Sequence, residues 1–296
     1  MTARIIDGKQ VAADMREELK AEVAGLKKKG VVPGLGVILV GEDPASKSYV
    51  TAKERACEEI GIYSDDNRLD ARTSQKDLLA LIRKMNNDPK INGILVQLPL
   101  PKGLNESEVL LAIDPAKDVD GFHPMNVGRM VVGEKAFLPC TPHGVIQLLI
   151  RSGVTIKGAE VVIVGRSNIV GKPLANMLIQ KNATGNATVT VCHTRTRDVA
   201  AHTKRADIVI AAAGRPDTIT ADMVKDGVVV IDVGVNRIED AAKKQGFRLV
   251  GDVDFEAVKE KASLITPVPG GVGPMTITML LYNTVESAKR AAGLGA

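Results

Sequence analysis

The chain has 296 residues, enough for two domains of ordinary size, and its 45% hydrophobic and 25% charged residues are the balance of a soluble globular protein, which excludes intrinsic disorder. The 39 basic and 35 acidic residues are scattered along the sequence, so the net charge of +4 implies only a weak preference for anionic ligands. Aromatic residues are 2% of the chain and form no base-stacking platform, so we expect no nucleic-acid partner.

The cysteines and the N-terminus bear on the compartment. Cys57, Cys140 and Cys192 are an odd number of distant cysteines without a C-x-x-C pair, which argues against a disulfide framework and structural zinc and favours reducing conditions. The sequence MTARIIDGKQVAADM has neither the apolar core of a signal peptide nor the composition of a transit peptide, and no apolar segment approaches the length of a membrane span. We therefore expect a cytoplasmic protein without a metal site or a membrane partner.

The first half of the chain alternates between helix and strand patterns. An amphipathic helix with apolar residues at Val11, Met15, Leu19 and Val23 is predicted to end at Gly30. It is followed by a strand GLGVILV, a helix PASKSYVTAKERACEEI closed by Gly61, a strand near IYSDDNRL, a helix SQKDLLALIRKMNND and a strand INGILVQ. Such alternation predicts a mostly parallel sheet covered by helices.

The alternation returns in the second half, with strands predicted near 161–164, 188–192, 208–212, 228–233 and 263–266. The expected fold is α/β, with two α/β domains flanking a cleft, the C-terminal one a Rossmann-type dinucleotide-binding domain. We predict a catalytic domain over 1–140, onto which a last helix in 275–296 packs back, and a dinucleotide-binding domain over 141–274. The intervening segment 114–144 is rich in Pro and Gly and poor in periodicity, which indicates a linker that lines the cleft.

The stretch VVIVGRSNIVGKP joins a strand to a glycine turn. A P-loop needs four residues between its glycines and a hydroxyl after the lysine, whereas five residues separate Gly165 from Gly171 and Pro173 replaces the hydroxyl. A dinucleotide fold needs only a strand, a glycine turn and a helix whose N-terminal amides face a pyrophosphate. Considered alone, the turn fits such a site and an ordinary strand-to-helix connection equally well.

Several polar residues occupy positions suited to chemistry. Tyr49 and Lys53 are one turn apart on a predicted helix, a spacing that also fits an exposed lysine beside a partly buried tyrosine. Gln97 ends a predicted parallel strand, where ligands of α/β proteins bind. Asp118 and Asp120 lead into a glycine turn, and Asx-turn chemistry alone explains one of them. The glycines of TPVPGGVGPMT precede a helix and allow either close ligand approach or a loop free of steric clashes.

The motifs YVTAK, QLPLP, KDVDGFHP, PCTPHG, GRSNIVGKP and PVPGGVGPMT, in this order and spacing, resemble the bifunctional methylenetetrahydrofolate dehydrogenase and methenyltetrahydrofolate cyclohydrolase family over essentially the whole chain. The resemblance implies oxidation of 5,10-methylenetetrahydrofolate with NADP, hydrolysis of the methenyl product to 10-formyltetrahydrofolate, and a homodimer. Family members usually have Lys or Arg where this chain has His143.

The resemblance also implies residue roles. Lys53 serves the hydrolysis, Gln97 orients it, Tyr49 lies against the folate and Asp120 hydrogen-bonds the pterin. The remaining folate contacts implied are Leu98, Pro99, Gly273, Pro274 and Thr276. The coenzyme contacts implied are Gly165, Arg166, Ser167, Gly171, Thr194, Arg195 and Val235.

The second strand of the coenzyme domain ends in VCHTRTR, without the Asp or Glu that usually binds a free ribose 2′-hydroxyl. Arg195 and Arg166 therefore favour a 2′-phosphate and NADP, while Asp198 nearby leaves NAD open. Two other functions stay open: another NADP-dependent dehydrogenase of the shikimate type, which gives no role to QLPLP, and a non-catalytic dinucleotide-binding regulator, which does not require Lys53 or Gln97.

Overall fold

The structure is a computed structural model that describes residues 2–243 and 246–295. The chain forms two compact units. One contains the residues up to Ala12 together with Thr141–Thr276, and the other contains Ala13–Cys140 together with the residues from Ile277 onward. None of the described helices is long and apolar enough to cross a bilayer.

The secondary structure alternates between strands and helices along most of the chain. The strands are β1 Arg4–Ile5, β2 Gly34–Val40, β3 Tyr63–Leu69, β4 Gly93–Val96, β5 Glu160–Val164, β6 Thr188–Cys192, β7 Ile208–Ala211, β8 Val229–Asp232, β9 Asn236–Glu239, β10 Phe247–Val250 and β11 Leu264–Ile265. The helices are α1 Gly8–Lys28, α2 Pro44–Ile60, α3 Gln75–Asn87, α4 Glu106–Ala112, α5 Pro124–Val132, α6 Cys140–Arg151, α7 Gly171–Leu178, α8 Val199–Thr203, α9 Phe255–Val258 and α10 Val272–Ala291, with a 3₁₀ turn at Ala221–Met223.

One unit is built on a three-stranded parallel sheet in the order β3-β2-β4. The central strand β2 is buried along its whole length, as its apolar sequence predicts. Helix α3 places Leu78, Ile82 and Met85 on one face, where they share a core cluster with Ile38 of β2 and Ile94 of β4. Because the strands are parallel, their carboxyl ends lie at one edge of the sheet.

The C-terminal part of α10 belongs to this same unit and is tied to it by hydrogen bonds. Asn283 Nδ2 donates to the carbonyl oxygens of Val119 at 2.8 Å and Leu138 at 3.0 Å. Ser287 Oγ donates to the carbonyl of Asn92 at 2.6 Å. The bond to Val119 fixes the backbone directly before Asp120.

The other unit contains a six-stranded parallel sheet in the order β1-β11-β8-β7-β5-β6. Strand β5 lies between β7 and β6, and its Val162 and Val164 join a core cluster of this unit. The short edge strand β1 comes from the N-terminus and pairs Arg4 with Leu264. A two-residue strand carries no periodic signal, which is why the sequence does not reveal it.

The segment 114–144 differs from the predicted linker because it contains helix α5. His123 Nδ1 accepts a hydrogen bond from Met125 N at 3.1 Å, and Pro124 occupies the first helical position. Gly133 ends the helix in a left-handed conformation with φ of 81°. The two buried positions of this nine-residue helix are too few to give a clear helical period in the sequence.

Candidate active site

Lys53 and Gln97 form the centre of a polar site in the unit with the three-stranded sheet. Lys53 lies on α2 and is only 9% exposed, and its Nζ donates to Gln97 Oε1 at 3.0 Å. Gln97 directly follows β4, and its Nε2 donates to the Leu98 carbonyl at 2.7 Å. Since the amide nitrogen is held by that carbonyl, the amide oxygen points to Lys53. The backbone thus orients the partner of the lysine.

Helix α2 presents Tyr49 and Lys53 in opposite environments. Tyr49, one turn before Lys53, is 52% exposed. The alternative of an exposed lysine beside a partly buried tyrosine is therefore wrong: the lysine is buried and the aromatic ring is accessible. Asp43 begins the helix by accepting from Ser46 N at 2.8 Å, and Gly61 ends it with φ of 83°. The ring faces solvent where a flat ligand could stack on it.

The electrostatics of the site centre on Lys53 and Asp120. Burial lowers the pKa of Lys53, and the nearby Asp120 opposes that shift. Burial raises the pKa of Asp120, while Lys53 and a hydrogen bond with the Cys140 thiol oppose the rise. Both shifts bring the protonation equilibria closer to neutral pH. The pair can therefore give and accept protons more readily than the same groups in water.

Asp118 has a structural role that separates it from Asp120. Its carboxylate accepts from Phe122 N at 3.2 Å, His123 N at 2.9 Å and Asn126 Nδ2 at 2.8 Å. Burial nevertheless raises its pKa to about 6. These bonds hold the turn that includes Gly121, and they leave Asp120 as the carboxylate beside Lys53.

Cys140 is buried next to these groups and is a thiol at neutral pH. Its Sγ lies 3.4 Å from the Val119 carbonyl, and burial raises its pKa well above the ordinary value. A thiol that keeps its proton is a poor nucleophile. The thiol instead donates a hydrogen bond to the carbonyl of Val119, the residue before Asp120.

Replacing Cys140 with serine is expected to keep both catalytic activities within roughly tenfold of wild type, because a hydroxyl preserves the hydrogen bond and hydride transfer needs no thiolate. Steady-state assays of a folded Cys140→Ser protein measure this. Complete loss of dehydrogenase turnover would show that the thiol takes part in the reaction.

The predicted coenzyme turn follows β5 in the other unit. Gly165 has φ of 140°, and a Cβ there would lie 2.0 Å from the Ala212 carbonyl oxygen. A Cβ on Gly171 would lie 2.2 Å from the Gly165 carbonyl oxygen. Val170, which directly precedes α7, makes no side-chain cap hydrogen bond to the helix, and its own backbone N donates to Ser167 Oγ at 3.1 Å. The glycines therefore bring the turn close to its neighbours and leave the helix N-terminus to an anion.

A cavity of about 310 Å³ opens where β5, β6 and β7 end. Its lining residues are Val164, Gly165, Arg166, Ser167, His193, Thr194, Val199, Ala212, Ala213, Arg215 and Thr218. Four predicted coenzyme residues thus share one cavity: Gly165, Arg166, Ser167 and Thr194. Arg195 and Val235 are described but do not line it, and Val235 is exposed. Arg215 was missed, since no motif marks it and only the position of the loop after β7 reveals it.

The predicted folate residues near the start of α10 lie in the unit with the six-stranded sheet. Gly273 and Pro274 are in the first turn of the helix, and a Cβ on Gly273 would meet nothing within 4 Å. Thr276 Oγ1 lies 2.9 Å from Thr141 Oγ1. A Cβ on Gly271 would lie 2.6 Å from the Pro267 carbonyl oxygen, so backbone packing requires this glycine. The open side of Gly273 leaves room for a ligand to approach the backbone.

His143 on α6 is neutral at physiological pH, unlike the Lys or Arg expected at this position. Burial lowers its pKa from 6.5 to about 4. A histidine whose pKa is lowered by folding stabilises the protein fully above its unfolded value of 6.5, and this contribution is lost as pH falls toward about 4.

Wild type is therefore expected to lose about 2 kcal/mol more unfolding free energy than His143→Gln between about pH 7 and about pH 4.5. Urea unfolding of both proteins at the two pH values measures the difference. The raised pKa of Asp118 acts in the opposite direction, but it is common to both proteins. Equal losses would mean that His143 does not change its protonation in this range.

The chain matches both domains of one protein family. Residues 6–120 match the catalytic domain of tetrahydrofolate dehydrogenase/cyclohydrolase, and residues 139–292 match its NAD(P)-binding domain. The chain is 62% identical to the bifunctional protein FolD of Syntrophus aciditrophicus over 294 residues, which cover 99% of this chain and 100% of that protein.

Two solved structures resemble it closely. The bifunctional FolD of Campylobacter jejuni is 51% identical, with a TM-score of 0.91 over 97% of this chain and 99% of that one. The Trypanosoma brucei enzyme, solved with NADP cofactor and inhibitor, is 40% identical, with a TM-score of 0.93 over 99% of both chains. The predicted α/β fold with two domains is confirmed.

Proposed function

Because the chain belongs to the tetrahydrofolate dehydrogenase/cyclohydrolase family, we propose that a single site around Lys53 serves both of its reactions. The protein is a bifunctional enzyme that oxidises 5,10-methylenetetrahydrofolate to 5,10-methenyltetrahydrofolate with NADP and hydrolyses that product to 10-formyltetrahydrofolate. The family indicated by the six sequence motifs is therefore confirmed. The observation that supports a shared site is the hydrogen bond between the buried Lys53 and the half-buried Gln97.

The dehydrogenase step makes modest demands on the protein. A hydride leaves the one-carbon bridge with its electron pair, and the lone pairs of N5 and N10 stabilise the remaining carbocation. Bound NADP supplies the hydride acceptor, and the glycine turn after β5 has the shape to hold its pyrophosphate. The residues of the folate site then act mainly by positioning. Tyr49 and Asp120 are the groups we assign to that task.

The cyclohydrolase step requires proton transfer. Water attacks the amidinium carbon and loses one proton, which gives a neutral carbinol. When the bond between that carbon and N5 breaks, the carbinol hydroxyl loses its proton to form the formyl carbonyl and N5 gains a proton. Burial makes the proton of Lys53 easier to remove, while Asp120 keeps a charged partner within reach. Gln97 Oε1 accepts from Lys53 Nζ and holds it in one orientation. We assign the proton transfer to Lys53, the orientation of its Nζ to Gln97 and the hydrogen bond to the pterin to Asp120.

The coenzyme cavity favours NADP over NAD. Arg166 and Thr194 line it, whereas Asp198 does not. The Asp198 carboxylate caps α8 by accepting from Ala201 N at 3.0 Å. A carboxylate engaged in this cap is less available to a ribose 2′-hydroxyl. The absence of an acidic residue among the described lining residues leaves a 2′-phosphate unopposed.

An absorbance assay tests the two-step function. With methylenetetrahydrofolate and NADP, the methenyl chromophore is expected to form and then decay as the 10-formyl product appears. A dehydrogenase of the shikimate type would oxidise a hydroxyl group and leave this folate unchanged. A regulator would bind NADP without turnover. Failure to form the chromophore under any coenzyme concentration would contradict the proposed function.

We infer further that the enzyme is a homodimer of a reducing, cytoplasmic compartment, with folate binding in 1–140 and 275–296 and coenzyme binding in 141–274. Membership of the family supports the dimer. Cys57, Cys140 and Cys192 are all free and buried, which suits a reducing environment. Sedimentation equilibrium at micromolar concentration tests the dimer, and a single monomeric species would contradict it.

A further inference from the structure

We propose that Arg215 binds the 2′-phosphate of NADP from the side of the cavity formed by the loop after β7, and that it determines coenzyme choice together with Arg166. This inference rests on the proposed function, since it names a further residue for the coenzyme of that enzyme. Arg215 belongs to none of the sequence motifs. Its role follows from where the fold places the loop that carries it.

The loop that carries Arg215 is rigidly held. The Asp252 carboxylate accepts from Ala213 N at 2.6 Å and from Gly214 N at 2.8 Å. Asn236 Nδ2 fixes that carboxylate in turn at 2.9 Å. On the other side of Arg215, Thr218 Oγ1 donates to its carbonyl at 2.7 Å. The backbone of Arg215 is therefore preorganised before any ligand binds.

The loop after β7 lies directly against the glycine turn after β5. The Ala212 carbonyl is so close to Gly165 that a Cβ there would lie 2.0 Å from its oxygen. Arg166 follows Gly165 in the glycine turn and Arg215 lies in the loop after β7, and both line the same cavity. Two arginines, carried by the segments after the neighbouring strands β5 and β7, thus line one cavity.

The chemistry of the cavity fits an adenosine bearing a phosphate. Val164, Val199 and Ala212 supply apolar wall, while Arg166, His193, Thr194 and Arg215 supply cations and hydrogen-bond donors. Among the described residues, no carboxylate lines the cavity. Arginine matches the geometry of phosphate oxygens with two parallel N–H groups, so two arginines favour a dianion over a neutral ribose hydroxyl.

Calorimetric titration with nucleotide fragments tests this role without folate or turnover. The probes are adenosine 2′,5′-bisphosphate and adenosine 5′-monophosphate, which differ only in the 2′-phosphate. Arg215→Gln is expected to weaken bisphosphate binding by about tenfold to hundredfold and to change monophosphate binding less than about twofold. Arg237→Gln is the matched control, because Arg237 stacks on Phe247 in this domain and does not line the cavity. It is expected to bind both fragments as wild type does.

The two fragments separate the possible contacts of Arg215. An equal loss of affinity for both would place Arg215 on the adenine or the 5′-phosphate and overturn the proposal, as would unchanged binding of the bisphosphate. Arg215→Lys is expected to recover part of the bisphosphate affinity, because lysine restores the positive charge but lacks the two parallel N–H groups of the guanidinium. Failure of the proposed function is distinguishable: wild type would then bind the bisphosphate more tightly than the monophosphate but form no methenyl product.

Discussion

Replacing Lys53 with methionine is expected to lower cyclohydrolase turnover by at least about a hundredfold while leaving measurable dehydrogenase activity. Methionine has similar length but can neither donate nor accept a proton. Hydride transfer is driven by lone pairs already present in the folate, so it loses only positioning. Methenyltetrahydrofolate should accumulate where wild type releases the 10-formyl product, and following both steps by absorbance in one sample measures the two effects together.

Two further variants make this result specific. Lys47→Met applies the same change to a half-exposed lysine of α2 that pairs with Glu42, and it should leave both steps unchanged. Gln97→Ala removes the acceptor that holds Lys53 and should also slow the hydrolysis. Hydrolysis of the methenyl compound at the wild-type rate by Lys53→Met would rule out the role of Lys53 and the shared site based on it.

Replacing Arg166 with glutamine is expected to reduce the specificity constant for NADP by about tenfold to hundredfold, with a smaller effect on NAD. A charge-assisted contact with phosphate contributes about 1.5 to 3 kcal/mol, and NAD lacks the phosphate that makes it. The wild type should accordingly prefer NADP by a similar factor. Initial rates of methylenetetrahydrofolate oxidation with each coenzyme measure both quantities.

Lys172→Gln is the matched control for Arg166, because Lys172 lies at the start of α7 but its Nζ donates to Asn168 Oδ1 at 2.7 Å and it does not line the cavity. Removing the charge of Lys172 should change the specificity constants for NADP and NAD by the same factor. Equal specificity constants of the wild type for the two coenzymes would contradict the preference. An equal loss for both in Arg166→Gln would show that the arginine contacts the shared part of the coenzyme.

The sequence predicts well the elements whose pattern is local and strong. The strand β2 and residues 161–164 of β5 are uninterrupted apolar runs, and α2 carries both of its end signals, Asp43 and Gly61. The pairing of Lys53 with Gln97 was likewise inferable, but from the resemblance to a family and not from spacing. The structure adds the distance between them and the burial that shifts the lysine pKa.

Features that depend on distant parts of the chain could not be predicted. The strands β9 and β10 form a short antiparallel pair whose residues lack clear alternation of apolar side chains. Whether Asp118 or Asp120 is structural depends on hydrogen bonds from Asn126 and from the turn that follows. Arg215 is recognised as a cavity residue only from the fold, in which β7 ends beside β5. These are consequences of tertiary placement, which a local pattern does not encode.

Competitive inhibition by one unreactive folate analogue tests the shared site most directly. An analogue with carbon in place of N10 cannot form the one-carbon bridge, so it occupies the folate site without reacting. With saturating coenzyme present in both assays, we predict the same inhibition constant against methylenetetrahydrofolate oxidation and against methenyltetrahydrofolate hydrolysis. Inhibition of one reaction at concentrations that leave the other unaffected would show that the two reactions occupy separate sites.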